Sequence, residues 1–292
     1  MTVDVKEDKI VSAVYDSSRT WVSVEAKIDY ELDPTMLFQI TEDSADDRFF
    51  FKKNDNTMSF FGYRAINRFK NDFENKQSIF REWEKYKNDI ELIHPNSDKH
   101  HLKICGGFQF SSHKSGDEWR QFGINHFIFP EVLVTMTEGS TYITYTTKRA
   151  TFELAKFNAV IQHLTQNTTV IHDDLGKVKR IEDIYKEEWR DLVRDTIAQL
   201  NENNKIVLAR KRMIQFEKQI KIPFILNQAM QSERNSYLFV LESEDSIFFS
   251  QTPEQLMEVK NDVIYTKAVA GTIKRTHDEA EDLRNIEQFL QD

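Results

Sequence analysis

Three short stretches of this sequence hold residues whose types and spacing could do chemistry: a lysine heading an apolar run, a glutamate behind a proline, and a triplet of small residues. The first is Lys205-Ile206-Val207-Leu208-Ala209-Arg210. A β-favouring apolar run with a cation at each end predicts a short buried strand. Alternation places Lys205, Val207 and Ala209 on one face and Ile206, Leu208 and Arg210 on the other. A lysine in that place has two uses. It keeps its ammonium in water while its stem packs, or it sits in a cleft with a lowered pKa and serves as a base. The second stretch is Thr252-Pro253-Glu254. Either Thr252 caps a single helical turn, with Glu254 near its positive end, or Glu254 is a partly desolvated carboxylic acid that can donate a proton. The third is Ala270-Gly271-Thr272, followed by Lys274-Arg275. It is a strand end, or a segment small enough for its backbone amides to meet a ligand.

The elements that must position these groups follow from periodicity. Trp21 to Ile28 alternates as a half-buried strand, and Asp33-Pro34 starts a turn or short helix. Arg48 to Lys52 and Met58 to Ala65 form a hairpin around Asn54-Asp55-Asn56. Asp72 to Ile93 carries apolar residues near helical spacing. Leu102 to Phe110 reads as a strand whose Gly106-Gly107 pair marks a bulge or close backbone approach, since nothing resembling a phosphate loop follows. An aromatic strand then ends at Pro130, and Glu131 to Met136 pairs with Thr141 to Tyr145 around Glu138-Gly139-Ser140. Phe152 to Leu164 and Ile181 to Leu200 read as helices, the second with one broad apolar stripe. Pro223 opens a helix through Met230. Tyr237 to Glu242 with Ser246 to Ser250, and Leu256 to Val259 with Val263 to Ala268, read as strand pairs. Thr276 to Glu279 is a capping box for a final helix.

Composition sets the class. In 292 residues, 30% are charged and 39% hydrophobic, which is a soluble globular balance with room for a large core. The net charge of −9 leaves no basic surplus for phosphates, so no nucleic-acid partner is expected. No run approaches the length of a membrane span, and the polar start lacks the apolar core of a signal peptide. Cys105 is the only cysteine, which excludes an intrachain disulfide and fits a cytoplasmic setting. It is expected to be a small buried thiol rather than a nucleophile. His94, His100 and His101 lie together, but no convergent Cys, Asp or Glu spacing makes them a metal site.

Taken in order, the three chemical stretches resemble the chorismate-utilising enzymes, and within them the isochorismate synthases. Members carry a Lys-Val-Val-Leu-Ala-Arg-like strand, a Ser-Pro-Glu-like turn, and Ala-Gly-Thr followed by a basic residue. The hairpin with its Phe61-Gly62 step, and the tryptophan and glycine pattern after Trp119, resemble the family's N-terminal half. The resemblance implies an α/β (α+β) fold: a large, mostly antiparallel two-sheet sandwich with outer helices. It makes residues 1–170 the N-terminal lobe and 171–292 the first part of the chorismate-binding catalytic region. It implies that water adds to C2 of chorismate as the C4 hydroxyl leaves, in a menaquinone or siderophore pathway. Lys205 would be the base and Glu254 the acid; Ala270, Gly271 and Thr272 would meet the substrate. The amine-using branches carry a glutamine where Lys205 stands, so the water-using branch is expected. Mg²⁺ is the implied cofactor. The family's metal-binding glutamates would follow Asp292, so no metal ligand is expected in this chain, which reads as truncated at its C-terminus. A salicylate synthase, which also eliminates pyruvate, and a non-catalytic truncated polypeptide are the alternatives.

Overall fold

The computed structural model describes residues 6–44, 47–70, 76–95, 100–111, 116–166, 176–201, 206–232, 235–267, 273–274, 276 and 278–291. The chain divides into two compact units, Met1–Gln251 and Thr252–Asp292.

The larger unit opens with helix α1 (Glu7–Asp16), strand β1 (Trp21–Ile28), helix α2 (Pro34–Ile40) and the hairpin β2 (Arg48–Lys52) and β3 (Met58–Phe69). Helix α3 (Lys76–Asn88) leads into β4 (Ile90–Ile93) and β5 (Cys105–Phe108). A long hairpin of β6 (Asn125–Thr137) and β7 (Ser140–Lys148) is followed by α4 (Leu154–Leu164), β8 (Val178–Asp183), α5 (Lys186–Gln199) and β9 (Arg212–Phe216). Helix α6 (Ile222–Gln231) and the hairpin β10 (Tyr237–Ser243) and β11 (Ser246–Thr252) close it. One nine-stranded sheet runs β11-β10-β2-β3-β6-β7-β1-β4, with β5 beside the first half of β6; β8 and β9 make a separate two-stranded ribbon. Within the large sheet β1 and β4 pair in parallel, and the other described pairings are antiparallel. The expected α/β fold with a mostly antiparallel sheet and outer helices is therefore present. Beside the large sheet, the described residues hold two-stranded ribbons rather than a second broad layer.

The alternation of the strands explains the packing. Val22, Val24, Phe50, Phe61, Val134, Ile143, Leu238 and Val240 are buried in one cluster, and Ile10, Leu37, Phe157 and Leu226 of α1, α2, α4 and α6 cover it. Each such side chain contributes roughly 1.5–3 kcal/mol by leaving water. Helix α2 begins where Asp33 accepts the Thr35 amide at 2.8 Å and Pro34 fills a position whose N–H has no partner to lose. On other parts of the sheet, α3 packs Ile79 and Trp83 with Phe69 and Phe129, while Phe49, Cys105, Phe122, Ile128, Leu133 and Leu241 form a third cluster. Cys105 is indeed a buried thiol, its pKa pushed up by that burial. The glycine pair also acts as expected: a Cβ at Gly106 would stand 2.0 Å from the backbone oxygen of His126.

Several elements differ from the sequence reading. The helix expected over Asp72 to Ile93 stops at Asn88, and Ile90–Ile93 becomes β4. The reason is competition from β1: Asp89 accepts the Thr20 amide at 3.0 Å and the Trp21 amide donates to its carbonyl at 3.1 Å. The helix expected from Ile181 begins at Lys186, because Val178–Asp183 pairs with β9 and Tyr185 turns the chain at φ 55°. The aromatic strand does not end at Pro130. It runs through it, since Pro130 faces Ala65 where the register slips between Ala65 and Asn67, and no regular ladder bond needs its absent N–H.

In the smaller unit, β12 (Glu258–Lys260) and β13 (Val263–Tyr265) form a hairpin whose turn residues Asn261 and Asp262 have φ of 51° and 60°. That left-handed pair is the turn such hairpins favour. Helix α7 (Glu279–Phe289) is capped by Asp278, which accepts the Glu281 amide at 3.0 Å. Thr276 is thus not the cap: its amide and hydroxyl bond Asp282 Oδ1 at 2.6 and 3.1 Å.

Candidate active site

Of the residues singled out for chemistry, Lys205, Ala270, Gly271 and Thr272 lie outside the described residues. Glu254 lies within them. It follows β11, is exposed, and its amide donates to Thr252 Oγ1 at 3.2 Å. This side-chain turn holds the backbone around Pro253 and leaves the carboxylate in water. Desolvation, which the acid role requires, is not supplied by the described residues of its unit.

The run behind Lys205 is a correction to the sequence reading. Residues 206–211 take no regular structure, and Val207 is 80% exposed. Among the described residues no strand pairs with this run. A β-favouring run without a partner ladder has no place to put its backbone groups except water. Its far end is nonetheless anchored. The Ile184 amide donates to Lys211 O at 3.0 Å, and Asp183 accepts Arg212 Nε and NH2 at 2.6 and 2.9 Å, with Arg210 at 3.9 Å. The Arg212 hydrogen bond holds the Asp183 carboxyl below the usual carboxylate range.

The structure also assembles titratable groups that sequence reasoning did not single out. Glu25, 1% exposed on β1, accepts the His101 amide at 2.9 Å, His101 Nδ1 at 3.0 Å and Thr144 Oγ1 at 3.0 Å. Burial alone would raise its pKa; the His101 hydrogen bonds and the neighbouring His100 overcome that and hold it low. Next to it His100 donates Nε2–H to Ser23 O at 3.0 Å, and desolvation lowers its pKa to about 4. A second cluster centres on Asp47, which accepts His126 Nε2 at 3.2 Å and pairs with Arg68. Burial opposes its ionised form, but the His126 and Arg68 hydrogen bonds keep its pKa low. A third joins β2 to β10. Arg48 grips both oxygens of Glu242 and donates NH1 to Phe38 O at 2.6 Å. These partners are 76, 79 and 194 residues apart, so no local spacing announces them. Among the described residues, no group of three or more His, Cys, Asp or Glu side chains is arranged to hold a metal ion, and no helix is long and apolar enough to cross a membrane.

The sequence is 24% identical over 278 residues to isochorismate synthase MenF of Bacillus subtilis (strain 168), covering 89% of this chain and 59% of that protein. To isochorismate synthase MenF of Haemophilus influenzae it is 24% identical over 196 residues, covering 65% of this chain and 42% of that one. The chain thus spans about 59% of the length of the first of these relatives. A solved structure of MenF, the menaquinone-specific isochorismate synthase from Escherichia coli, superposes with a TM-score of 0.68 at 15% identity, over 98% of this chain and 63% of that one; it shows a shared fold. The sequence profile of the chorismate binding enzymes matches residues 8–292. With the profile matched over nearly its whole length and the fold shared, this chain belongs to the chorismate binding enzyme family.

Proposed function

We propose that this chain carries the acid–base residues of an isochorismate synthase: water adds to C2 of chorismate as the C4 hydroxyl leaves. The observation that carries the reading is the ordered set Lys205 to Arg210, Thr252 to Glu254 and Ala270 to Thr272 inside a chain that matches the family profile from residue 8 to 292. Lys205 is the base that activates water. Glu254 is the acid that protonates the departing hydroxyl, and Ala270, Gly271 and Thr272 meet the substrate through their backbone. Water is a poor nucleophile and hydroxide a poor leaving group, so one base and one acid on opposite sides of the ring answer both problems. An exposed lysine, with a pKa near ~10.4, is protonated at neutrality. The base role therefore requires Lys205 to be desolvated in the active enzyme, and Glu254 likewise. Residues 1–170 then form the N-terminal lobe and 171–292 the first part of the catalytic region.

Mg²⁺ belongs to this reading as the ion that offsets the substrate's carboxylate charge. Among the described residues no group of three or more His, Cys, Asp or Glu side chains is arranged to hold it. The pathway proposed is that of menaquinone, for which the E. coli relative is specific, in the cytoplasm and with chorismate as the small-molecule partner. Salicylate synthesis is the second reading, because it begins with the same water addition.

The experiment is turnover of chorismate with products separated by chromatography, for the parent and for Lys205→Ala, beside a thermal melt and a chorismate titration. Loss of a general base costs ~10²–10⁴-fold in rate. A fall of that size with melting and binding retained supports the assignment. Turnover within a few-fold of the parent removes Lys205 from the base role, and salicylate plus pyruvate as main products moves the assignment to the second reading.

A further inference from the structure

Helix α5 has an apolar face and no core to lie on. It runs for 14 residues, and none of them is buried. A helix of that length is marginal in water by propensity alone; a packed apolar face normally stabilises it. At about 3.6 residues per turn, Trp189, Leu192, Val193, Thr196 and Ile197 fall on one side of α5. Leu192 and Ile197 on that side are 49% and 65% exposed.

The same spacing sorts the charges. Arg194 and Asp191 lie at the back of the helix, where they pair with each other at 2.8 Å. Lys186 and Arg190 border the apolar stripe on one flank, and Glu188 and Asp195 border it on the other. One flank is therefore basic and the other acidic. That pattern selects an occupant. When two such helices pack in parallel, opposite flanks meet across the seam; when they pack antiparallel, like flanks meet. Two parallel copies of α5 set the basic flank of each beside the acidic flank of the other. Two antiparallel copies would set acid against acid and base against base. A second copy of this chain carries the complementary pattern by construction, because each helix supplies both flanks.

We propose that α5 is a self-association surface. Two copies of this chain pair through it, stripe on stripe and in parallel, about a two-fold axis that runs along the helices. Arg190 of each copy then lies against the Glu188 flank of the other. A contact built on one 14-residue helix is small, so the pair is transient and concentration-dependent. It does not depend on the proposed reaction, in which no residue of α5 takes part.

The test is sedimentation equilibrium of the chain through the micromolar range, with hydrogen exchange of the α5 amides at the same concentrations. The mass should rise from that of one chain towards that of two, and the α5 amides should exchange more slowly as it does. Ile197→Glu, at an exposed position, should melt as the parent does yet stay single. Arg190→Glu, which sets acid against acid, should weaken pairing by about tenfold or more. Combining it with Glu188→Arg exchanges the two flanks and should restore the pairing. A parent that stays single throughout overturns the proposal. It would leave the face to polypeptide from the part of the relatives that this chain does not span. A dimer indifferent to Ile197→Glu overturns it too, by placing the contact elsewhere. A dimer that Arg190→Glu does not weaken, or that the exchanged flanks do not restore, overturns the parallel arrangement.

Discussion

At the scale of single residues, the buried histidines make stability depend on pH in a stated direction. His100 has a folded pKa of about 4 against 6.5 for a free imidazole, chiefly because burial disfavours its charged form. The unfolded chain therefore takes up the proton first. Stability is full above pH 6.5 and is lost as pH falls from 6.5 towards 4. By linkage the loss is about 2 kcal/mol at pH 5. Glu25 acts in a lower window. Its folded pKa lies below 4.5, so its contribution is present above that value and disappears as pH falls further. Urea unfolding at pH 7 and pH 5 separates the two, since His100→Gln should flatten the slope in that interval while Glu25 stays ionised. An unchanged slope in the variant would place the proton uptake elsewhere. None of this was legible in the sequence. Ser23 and Glu25 occupy alternate positions in a strand and read as a solvent face; they are covered because His100 and His101 come to lie over them from 77 and 76 residues away.

At the scale of elements, the pairing of β2 with β10 rests on a charge that the sheet itself buries. Arg48 and Glu242 are register partners, and Arg48 is 5% exposed. Removing one member leaves the other charged and buried, which typically costs about 3–5 kcal/mol. Glu242→Gln should therefore lower stability by an amount in that range in denaturant titration, whereas breaking an exposed pair such as Lys156 with Glu153 should leave it nearly unchanged, because water and salt screen that pair. Strand β5 supplies a steric case. Gly106→Ala puts a methyl 2.0 Å from His126 O and 2.5 Å from Phe127 Cα, both backbone atoms that cannot step aside. The expected cost is about 1–3 kcal/mol, read as a lower melting temperature. Gly107→Ala, one residue on, should be tolerated. The Gly-Gly reading of a close approach was correct, but which of the two glycines makes it depends on the strand that pairs alongside.

At the scale of the whole molecule, apolar pattern and apolar burial part company. Leu226 of α6 is fully buried between the sheet and α2, so Leu226→Ala should cost about 2–5 kcal/mol. Val207, in an equally apolar run, is 80% exposed, and Val207→Ala should stay within about 0.5 kcal/mol. Both numbers come from equilibrium unfolding of the same chain; a large cost at Val207 would mean that its run is covered. Helix α5 shows the same thing at length. Its stripe of Trp189, Leu192, Val193 and Ile197 reads as a core face, yet none of its residues is buried and Ile197 is 65% exposed.

What the sequence determined by itself is what neighbours along the chain can enforce. Period-two alternation makes β1, β3 and β6 strands, Asp33-Pro34 starts α2, Pro223 opens α6, and Asn261-Asp262 turns the last hairpin, because each follows from local sterics and from hydrogen bonds reaching a few residues. The ordered chemical stretches likewise pointed to the family that the profile match then showed. Tertiary structure alone decided where Ile90–Ile93 went, which apolar faces were covered, and which carboxylates met histidines or arginines. Those outcomes turn on partners 69 to 194 residues away. Burial requires a second surface, and a buried charge requires a counter-charge; neither is specified by the residues on either side of it.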